Sequence, residues 1–450
     1  MASENPTIFP YSHESILPCE LSEVVGHLKK KSFCGYPEEK VGLKDDIFMI
    51  PLNEGYLVYT EKLFLATNDW RPLSQINGQH TLTELITRQD MAPYLQQLHY
   101  YDLLSFGSNN GQVKIADIDE KYTEKYRDVD FVTFPLMPLT VELDVTNVCN
   151  LSCIHCHKNS KLSHGSKELS TGEIITIIEK CAQIGVPELI LMGGEPLIHP
   201  NFFDFVKCAK KNSIRDVRTS TNGWFVDGTM AEELARYFDN IQISIHGACA
   251  STHDSITKKK GAWKQAKKAV HLLKRRNIKV NVSFTVMREN VEEIKQMAYL
   301  VMEWGADSLR FLRLSCTGRG ALLRGWSENE TAKISQEIKE IQEDLSKFSP
   351  AISIDVGGFS SLKKIKNDAI FYGCAAGRIL LHIAFDGQVN ACGSIEGNFI
   401  GNIREKNGDI LDIWHSPKLI DMRRQLECDC NYRPICSGTC RVEERTVREV

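Results

Sequence analysis

The sequence lacks most of what would place it outside the reducing interior of a cell. No run of about 18 apolar residues occurs, so nothing is long enough to cross a bilayer as a helix. Met1 to Tyr11 has no basic start followed by an apolar core, so no secretory signal is expected. No internal repeat or low-complexity tract is evident. Neither charge sign dominates: 54 Lys and Arg against 58 Asp and Glu leave a net charge of −4, which gives no case for bulk nucleic-acid binding. Lys29-Lys30-Lys31 and Lys258-Lys259-Lys260 are short and isolated and read as solvated loop or helix ends. Cysteine is sparse as well, 15 in 450 or about 3%, far below the roughly 8–10% of a disulfide scaffold. A cytoplasmic protein without membrane or nucleic-acid partners is expected.

What is present is ordinary globular composition, 42% apolar and 25% charged, in a chain long enough for about three domains. The cysteines are unevenly placed. Nine of the fifteen fall in two groups, Cys149–Cys156 and Cys374–Cys440. Clustered thiols in a large chain without a secretion signal point to metal rather than disulfides.

Residues 1–115 read as one unit. Short runs at Ile47–Pro51, Gly55–Thr60 and Leu63–Ala66, broken by Asn53-Glu54-Gly55 and Glu61-Lys62, predict a small antiparallel sheet. A capping Thr81 with Glu84 opens a helical stretch, and a second follows over Met91–Leu104, giving a winged-helix-like module. Residues 116–138 are polar and charged, as a linker would be. Over 139–348, six strands alternate with helices: Thr140–Val145, Glu188–Met192, Val217–Ser220, Ile241–Ile245, Lys279–Val286 and Ser308–Leu312. That pattern calls for an α/β fold with a parallel sheet, curled into a partial (β/α)6 barrel of the TIM type, whose chemistry sits at the C-terminal strand ends. From 349 to 450 the alternation stops, and a cysteine-rich domain organised by metal is expected.

Cys149, Cys153 and Cys156 lie in one loop directly after the first barrel strand, spaced C-x3-C-x2-C. Three thiolates there can hold three irons of a [4Fe–4S] cube and leave the fourth without a protein ligand. An open position is what a catalytic metal centre needs, whereas a structural site is closed by four ligands. A zinc knuckle is the alternative and needs His155 or His157 as a fourth ligand. At the next strand end, Gly193-Gly194-Glu195-Pro196 offers two glycines for close approach to the backbone and a carboxylate for an ammonium group.

These residues resemble the radical S-adenosylmethionine superfamily. Thr221-Asn222-Gly223 after strand three, Ile243-Ser244-Ile245-His246-Gly247 at strand four and His253-Asp254 extend the match over about residues 139–320. The resemblance implies a [4Fe–4S] cluster whose open iron binds S-adenosylmethionine, and one-electron cleavage to a 5′-deoxyadenosyl radical that takes hydrogen from a substrate. It places Gly193, Gly194 and Glu195 at the methionine amino end, with Asn222 and Ser244 nearby. Many relatives carry Arg shortly after His-Asp, where this chain has Thr257-Lys258.

The C-terminal cysteines read Cys374-x12-Gly387-x4-Cys392, then Cys428-x-Cys430-x5-Cys436-x3-Cys440. They resemble the SPASM extension, which holds two auxiliary iron–sulfur clusters. The resemblance assigns Cys374, Cys392 and Cys440 to one and Cys428, Cys430 and Cys436 to the other. The first gap of the second run is one residue short, and no further cysteine follows before Val450. Six thiolates over two cubes leave each one ligand short. One iron is then open to a substrate thiolate, and the other takes Asp429 or His415. A single complete cluster or a closed zinc site is the alternative.

Cys249 and Cys316 stand past strands four and six, on the face where a radical forms, and are candidate catalytic thiols able to return a hydrogen atom. Small buried apolar residues are the plainer reading. Cys19, Cys34, Cys181 and Cys208 have no ligand spacing. His246 is either a base or a packing residue, and Gly318-Arg319-Gly320 is a candidate contact for the cofactor carboxylate or a peptide. The N-terminal module resembles the leader-recognition domain of peptide maturases, which adds an extended leader to a sheet edge. The expected partners are a precursor peptide with its leader and an electron donor such as flavodoxin or ferredoxin. The resulting expectation is a peptide maturase forming a thioether between Cys sulfur and carbon. Carbon–carbon crosslinking and epimerisation are alternatives, and a non-catalytic electron carrier is the rival of another class. Cys392 is followed by Gly393-Ser394 rather than an acid, unlike sulfatase-maturing relatives.

Overall fold

A computed structural model describes residues 137–162, 167–348, 353–357, 375–394, 399–405 and 409–424, with the backbone of seven short strands before residue 136. Two compact units divide the chain, the first made of Met1–Leu136 together with Ile365–Tyr372 and Cys428–Ser437. Its strands are β1 (Phe9–Pro10), β2 (Val41–Leu43), β3 (Ile47–Pro51), β4 (Tyr56–Tyr59), β5 (Phe64–Thr67), β6 (Leu104–Phe106) and β7 (Val113–Ile115). The expected antiparallel sheet is there: β3 pairs β4, with Pro51 opposite Tyr56, and β4 pairs β5. It extends to five strands in the order β1-β5-β4-β3-β7, with β2 and β6 paired separately. The helices expected over Thr81–Ile86 and Met91–Leu104 lie outside the described residues.

The second unit contains the β/α alternation. Its strands are β8 (Thr140–Asp144), β9 (Glu188–Met192), β10 (Asp216–Thr221), β11 (Asn240–Ser244), β12 (Lys279–Val286), β13 (Ser308–Arg313) and β14 (Ser353–Gly357). Helices α1 (Thr171–Gln183), α2 (Phe202–Lys211), α3 (Gly228–Ala235), α4 (Ala250–Thr257), α5 (Ala262–Lys274), α6 (Ile294–Glu303) and α7 (Glu328–Phe348) run between them. All seven strands are parallel, each beside its successor in sequence.

Strands β8, β10, β11, β12 and β13 are amphipathic over most of their length, whereas β9 carries Ile190 and Met192 at its alternate positions. Val141, Leu143, Leu189, Leu191, Val217, Ile241, Ile243, Val280, Val282, Leu309 and Phe311 point one way and are buried. The alternate positions carry Glu142, Arg218, Ser220, Gln242, Ser244, Asn281, Ser283 and Arg310. They are joined across strands by Gln242 to Ser220 (3.0 Å), Ser308 to Asn281 (2.7 Å) and Ser283 to Ser244 (3.3 Å). A doubly wound sheet covered on both faces reads instead as continuous apolar runs. One apolar face and one polar face suit a partial barrel with its helices outside.

Several elements fall where the sequence predicts none. Helix α4 is mostly polar and is held by three inward side chains, His253, Ile256 and Thr257. Strand β14 follows α7 and extends the sheet beyond β13, and Gln342 of α7 donates to the Ile354 carbonyl at 2.7 Å. On the other edge, β15 (Leu380–Ile383) lies parallel to β8, with Leu380 beside Thr140. Then β16 (Gln388–Asn390) and β17 (Gly401–Asn402) continue antiparallel. The cysteine-rich region thus covers the exposed edge of the first barrel strand. Two short helices follow, α8 (Ile410–Trp414) and α9 (Pro417–Arg424), with Trp414 fully buried. Among the described residues no helix is long and apolar enough to cross a membrane.

Candidate metal centre

The loop after β8 is held on three sides, by the end of β9, the end of α4 and the turn after β13. Val145 donates to Met192 (2.9 Å), Gly194 to Thr146 (2.8 Å) and Glu195 to Val148 (2.8 Å). A Cβ on Gly193 would sit 2.2 Å from the Thr146 oxygen, and one on Gly194 2.2 Å from the Val148 oxygen. Gly193 also has φ +145, open only to glycine at low cost. Close approach of the cysteine loop itself therefore requires both glycines.

On a second side, Ser152 and Ile154 donate to the carbonyls of Thr257 (3.1 Å) and Ile256 (3.0 Å) at the end of α4. On the third, Gly318-Arg319-Gly320 folds over the loop. Arg319 N donates to the Cys156 carbonyl (2.9 Å), its Nε to that of Cys153 (2.8 Å) and its Nη1 to that of Ser160 (2.7 Å). Gly318, at φ +55, leaves no room for a Cβ, which would meet the His157 oxygen at 2.4 Å. Contact with cofactor or peptide is the sequence expectation for this tripeptide; its hydrogen bonds go to the cysteine loop.

Glu195 is buried at the β9 end. Its carboxylate accepts from Thr221 Oγ1 (2.6 Å), Asn222 N (2.8 Å) and Leu197 N (3.3 Å). Burial pushes it up to about 7, against the pull of those donors. The carboxylate expected to hold an ammonium group thus serves the chain's own donors and ties β9 to β10. Asn222 continues the connection, with Nδ2 2.9 Å from Asn150 Oδ1 and 3.9 Å from Cys149 Sγ. Ser244 is half-buried at the end of β11.

The three thiols electrically sense one another. Burial pushes Cys149 up to about 12, with Glu195 and Cys156 adding to the rise. Cys153 is raised further, again by burial first and then by Cys149 and Cys156. Such thiols give up their protons to a bound cation rather than to water at neutral pH. Among the described residues no three His, Cys, Asp or Glu side chains converge on a single-ion position. Two buried nitrogens on the loop, Asn150 Nδ2 and His155 Nδ1, have no hydrogen-bond partner. The donor set suits an iron–sulfur cube.

The histidines beside the loop are neutral. Burial, then His253 and Arg319, lowers His155 to about 4; burial and Lys158 lower His157 to about 3. His155 stands edge-on to His246 at 4.2 Å. His246 accepts from Thr285 N at 3.1 Å, and its own N–H donates to His253 Nδ1 at 2.9 Å. These contacts give His246 a packing and hydrogen-bonding place. Asp254 accepts from Gly261 N (2.6 Å) and Trp263 N (2.9 Å), so it caps α5. Thr257 is buried with its hydroxyl on the His253 carbonyl (2.9 Å), and Lys258 is exposed.

Sequence reasoning does not anticipate the cluster of Asp144, Lys158 and His382. Asp144 contacts the Lys158 ammonium directly and lies 3.1 Å from His382 Nε2, with Asp144 and His382 buried and Lys158 partly so. Burial alone would raise its pKa, but Lys158 and His382 reverse this and hold it far below the usual carboxylate range. The available signal is a lone Asp on the polar face of β8.

Cys249 lies just before α4, 3.0 Å from Ser251 Oγ and 3.3 Å from Thr252 Oγ1, contacts that lower its pKa. Cys316 is half-buried in an apolar patch with Ile154, Ile256 and Met287, and burial raises its pKa. Cys181 is fully buried in α1, and Cys208 on α2 contacts Asn212. Of the six C-terminal cysteines only Cys392 is among the described residues. It follows β16, and a Cβ on its neighbour Gly393 would lie 3.1 Å from the His382 ring. His415 is buried at the end of α8. Cys374, Cys428, Asp429, Cys430, Cys436, Cys440, Cys19 and Cys34 lie outside the described residues.

Fold and site together define a partial-barrel protein with three neighbouring cysteine thiols in one loop at its strand-end face. Comparison with known proteins agrees: residues 143–301 match the radical SAM superfamily and residues 374–441 the SPASM iron–sulfur cluster-binding domain. A radical SAM domain and a SPASM domain are therefore present in this chain. Their presence implies a SAM-bound [4Fe–4S] cluster and auxiliary iron–sulfur clusters. An AdoMet-dependent heme synthase of Methanosarcina barkeri is 29% identical over 331 residues, 68% of this chain and 91% of that protein. Mycofactocin maturase MftC of Mycobacterium tuberculosis is 29% identical over 317 residues, 67% of this chain and 78% of that protein. Streptococcus suis SuiB bound to S-adenosylmethionine shares the fold at TM-score 0.64 and 16% identity, over 89% of this chain and 96% of that one. Native anSMEcpe with bound AdoMet does so at 0.53 and 16%, over 68% and 90%.

Proposed function

We propose that this protein is a radical S-adenosylmethionine peptide maturase that forms a thioether between a cysteine sulfur and an unactivated carbon of a ribosomally made precursor. The observation that carries the first half is the loop of Cys149, Cys153 and Cys156, clamped on three sides at the strand-end face, where burial raises the Cys149 and Cys153 thiols. A cluster and S-adenosylmethionine bound there supply one-electron cleavage and hydrogen abstraction. The chain's own residues hold and shield that chemistry: Arg319, Gly193, Gly194 and Gly318 fix the loop, and Glu195 with Asn222 joins two strand ends over it.

A peptide substrate is supported by the five-stranded sheet ahead of the barrel, whose edges are β1 and β7. An extended leader can join such an edge as a further strand. MftC is named a maturase, and SuiB has been crystallised with its precursor peptide SuiA. The thioether rests on the six C-terminal cysteines, with Cys249 and Cys316 as proposed hydrogen donors for an epimerising alternative. A second reading, modification of a tetrapyrrole, is favoured by the heme synthase similarity over 91% of that protein.

The protein, reconstituted anaerobically with iron and sulfide, is given S-adenosylmethionine and dithionite. Formation of 5′-deoxyadenosine, lost in Cys149→Ser, Cys153→Ser and Cys156→Ser, is expected. No cleavage with intact clusters would falsify the enzyme reading. Iron content of about 12 per chain indicates three cubes, and about 8 indicates two. With a Cys-containing precursor, a product two hydrogens lighter that has lost one alkylatable thiol marks a thioether. Turnover of a porphyrin instead would replace the peptide reading.

A further inference from the structure

Between Asp254 and Glu289 the chain carries eleven lysines and arginines and no acidic residue, in a protein whose net charge is −4. Some of these cations are engaged: Lys274 with Asp307, Arg276 with Glu232, Arg288 with Glu330. Lys258, Lys260, Lys264 and Lys268 are exposed and form no ion pair among the described residues. The nearest acid in sequence, Asp254, faces Gly261 N and Trp263 N, so it leaves the lysine charge uncompensated.

A charge run of this kind is usually a solvated face, and the sequence alone supports no more. Its position in the fold changes the reading. The turn from α4 to α5 is strapped to the cysteine loop through the Ile256 and Thr257 carbonyls. Lys259 lies 4.8 Å over the Trp224 ring, and Trp224 packs in one cluster with Cys149, Cys153, Leu151 and Ala262. A single indole therefore separates the lysine surface from two of the three thiols. The centre proposed above consumes one electron per cleavage, and that electron comes from outside the chain.

We infer that the exposed lysines of the α4–α5 turn and α5 form the docking surface for an acidic one-electron carrier protein of the flavodoxin or ferredoxin type, with Trp224 bridging it to the cysteine loop. The inference rests on the radical-enzyme reading of that loop. In the transfer step the carrier's reduced flavin or iron centre loses one electron and the cluster gains it, with no bond made or broken. Like-signed lysines steer an acidic partner and accelerate encounter, an effect that salt screens.

The test compares the holoenzyme with the exposed-site variant Lys258→Glu/Lys260→Glu/Lys264→Glu/Lys268→Glu. S-adenosylmethionine cleavage is driven either by enzymatically reduced flavodoxin or by dithionite. Expected is a loss of about tenfold or more with flavodoxin and a change of less than about twofold with dithionite. Flavodoxin-driven cleavage by the wild type is expected to fall as salt rises, and that dependence is expected to flatten in the variant. Flavodoxin binding to the apo protein, read by interferometry, is expected to weaken in parallel. Equal loss with both reductants, no loss with either, or capture of an oligonucleotide by the lysines with unchanged flavodoxin binding would overturn the inference. Absence of dithionite-driven cleavage in the wild type counts against the radical-enzyme reading alone, because the binding measurement still tests the surface.

Discussion

Asp144 Oδ2 lies 3.1 Å from His382 Nε2 although 238 residues separate them. The first barrel strand thereby meets β15, which lies in the stretch matched by SPASM, and Lys158 completes the cluster two residues after Cys156. Replacing Asp144 by Asn leaves the Lys158 ammonium, 11% exposed, without its counter-ion. Loss of one partner from such a buried pair costs about 3–5 kcal/mol. A urea midpoint lowered to match is the expected result, and an unchanged midpoint would show that water replaces the carboxylate.

The glycines around the cysteine loop separate by geometry. Gly194→Ala and Gly318→Ala place a Cβ 2.2 Å and 2.4 Å from backbone oxygens, whereas Gly172→Ala meets nothing within 4 Å. Iron bound after reconstitution is expected to fall by about threefold or more in the first two, because backbone rather than a flexible side chain must move. Gly172→Ala is expected to keep wild-type iron and to change stability by no more than about 1 kcal/mol.

Arg319 acts on the loop through shape and charge, and two substitutions divide these effects. Arg319→Lys keeps the cation but loses the fork that reaches the Cys153 and Ser160 carbonyls. Its reconstituted cluster is expected at near the wild-type potential with lowered occupancy. Arg319→Met loses both, and its potential is expected to move more negative, since a nearby cation favours the reduced cluster. Spectroelectrochemistry at equal iron content reads the difference.

Glu173 and Arg404 join the start of α1 to the turn after β17, Arg404 Nε lying 2.5 Å from Oε1. The Arg404 hydrogen bond, then the Ser170 backbone N–H, lowers Glu173 from 4.5 to about 2. A depressed folded-state value means stability that is present above about 4.5 and lost as pH falls towards about 2. Both side chains are more than a third exposed, so solvent screening limits the effect to about 1 kcal/mol or less. The gap between the denaturation midpoints of wild type and Glu173→Gln is expected to close over that window. A gap unchanged at pH 2.5 would refute the assignment.

The amphipathic period of the barrel strands is legible because alternate residues are apolar enough to be read one strand at a time. Glu188–Met192 and Lys279–Val286 have the same limits in sequence and structure. Helix α4 is not legible, because its residues Ala250–Thr257 have no apolar stripe and become helical by burying His253, Ile256 and Thr257 against neighbours far along the chain. Gly318-Arg319-Gly320 stands out in the sequence, but its target does not, since a carbonyl 166 residues away leaves no trace in local pattern.

By itself the sequence determined the cysteine spacing, the strand–helix alternation and hence where along the chain metal chemistry falls. Covalent spacing and side-chain polarity are local properties, and both can be read without coordinates. Tertiary structure alone decided what presses on the cysteine loop: the glycine backbone of β9, the Arg319 fork and the lysine turn behind Trp224. It also decided that β15 returns to β8, bringing His382 to Asp144. Contacts between distant segments depend on sheet order and register, which residue identity constrains only when many strands pack at once.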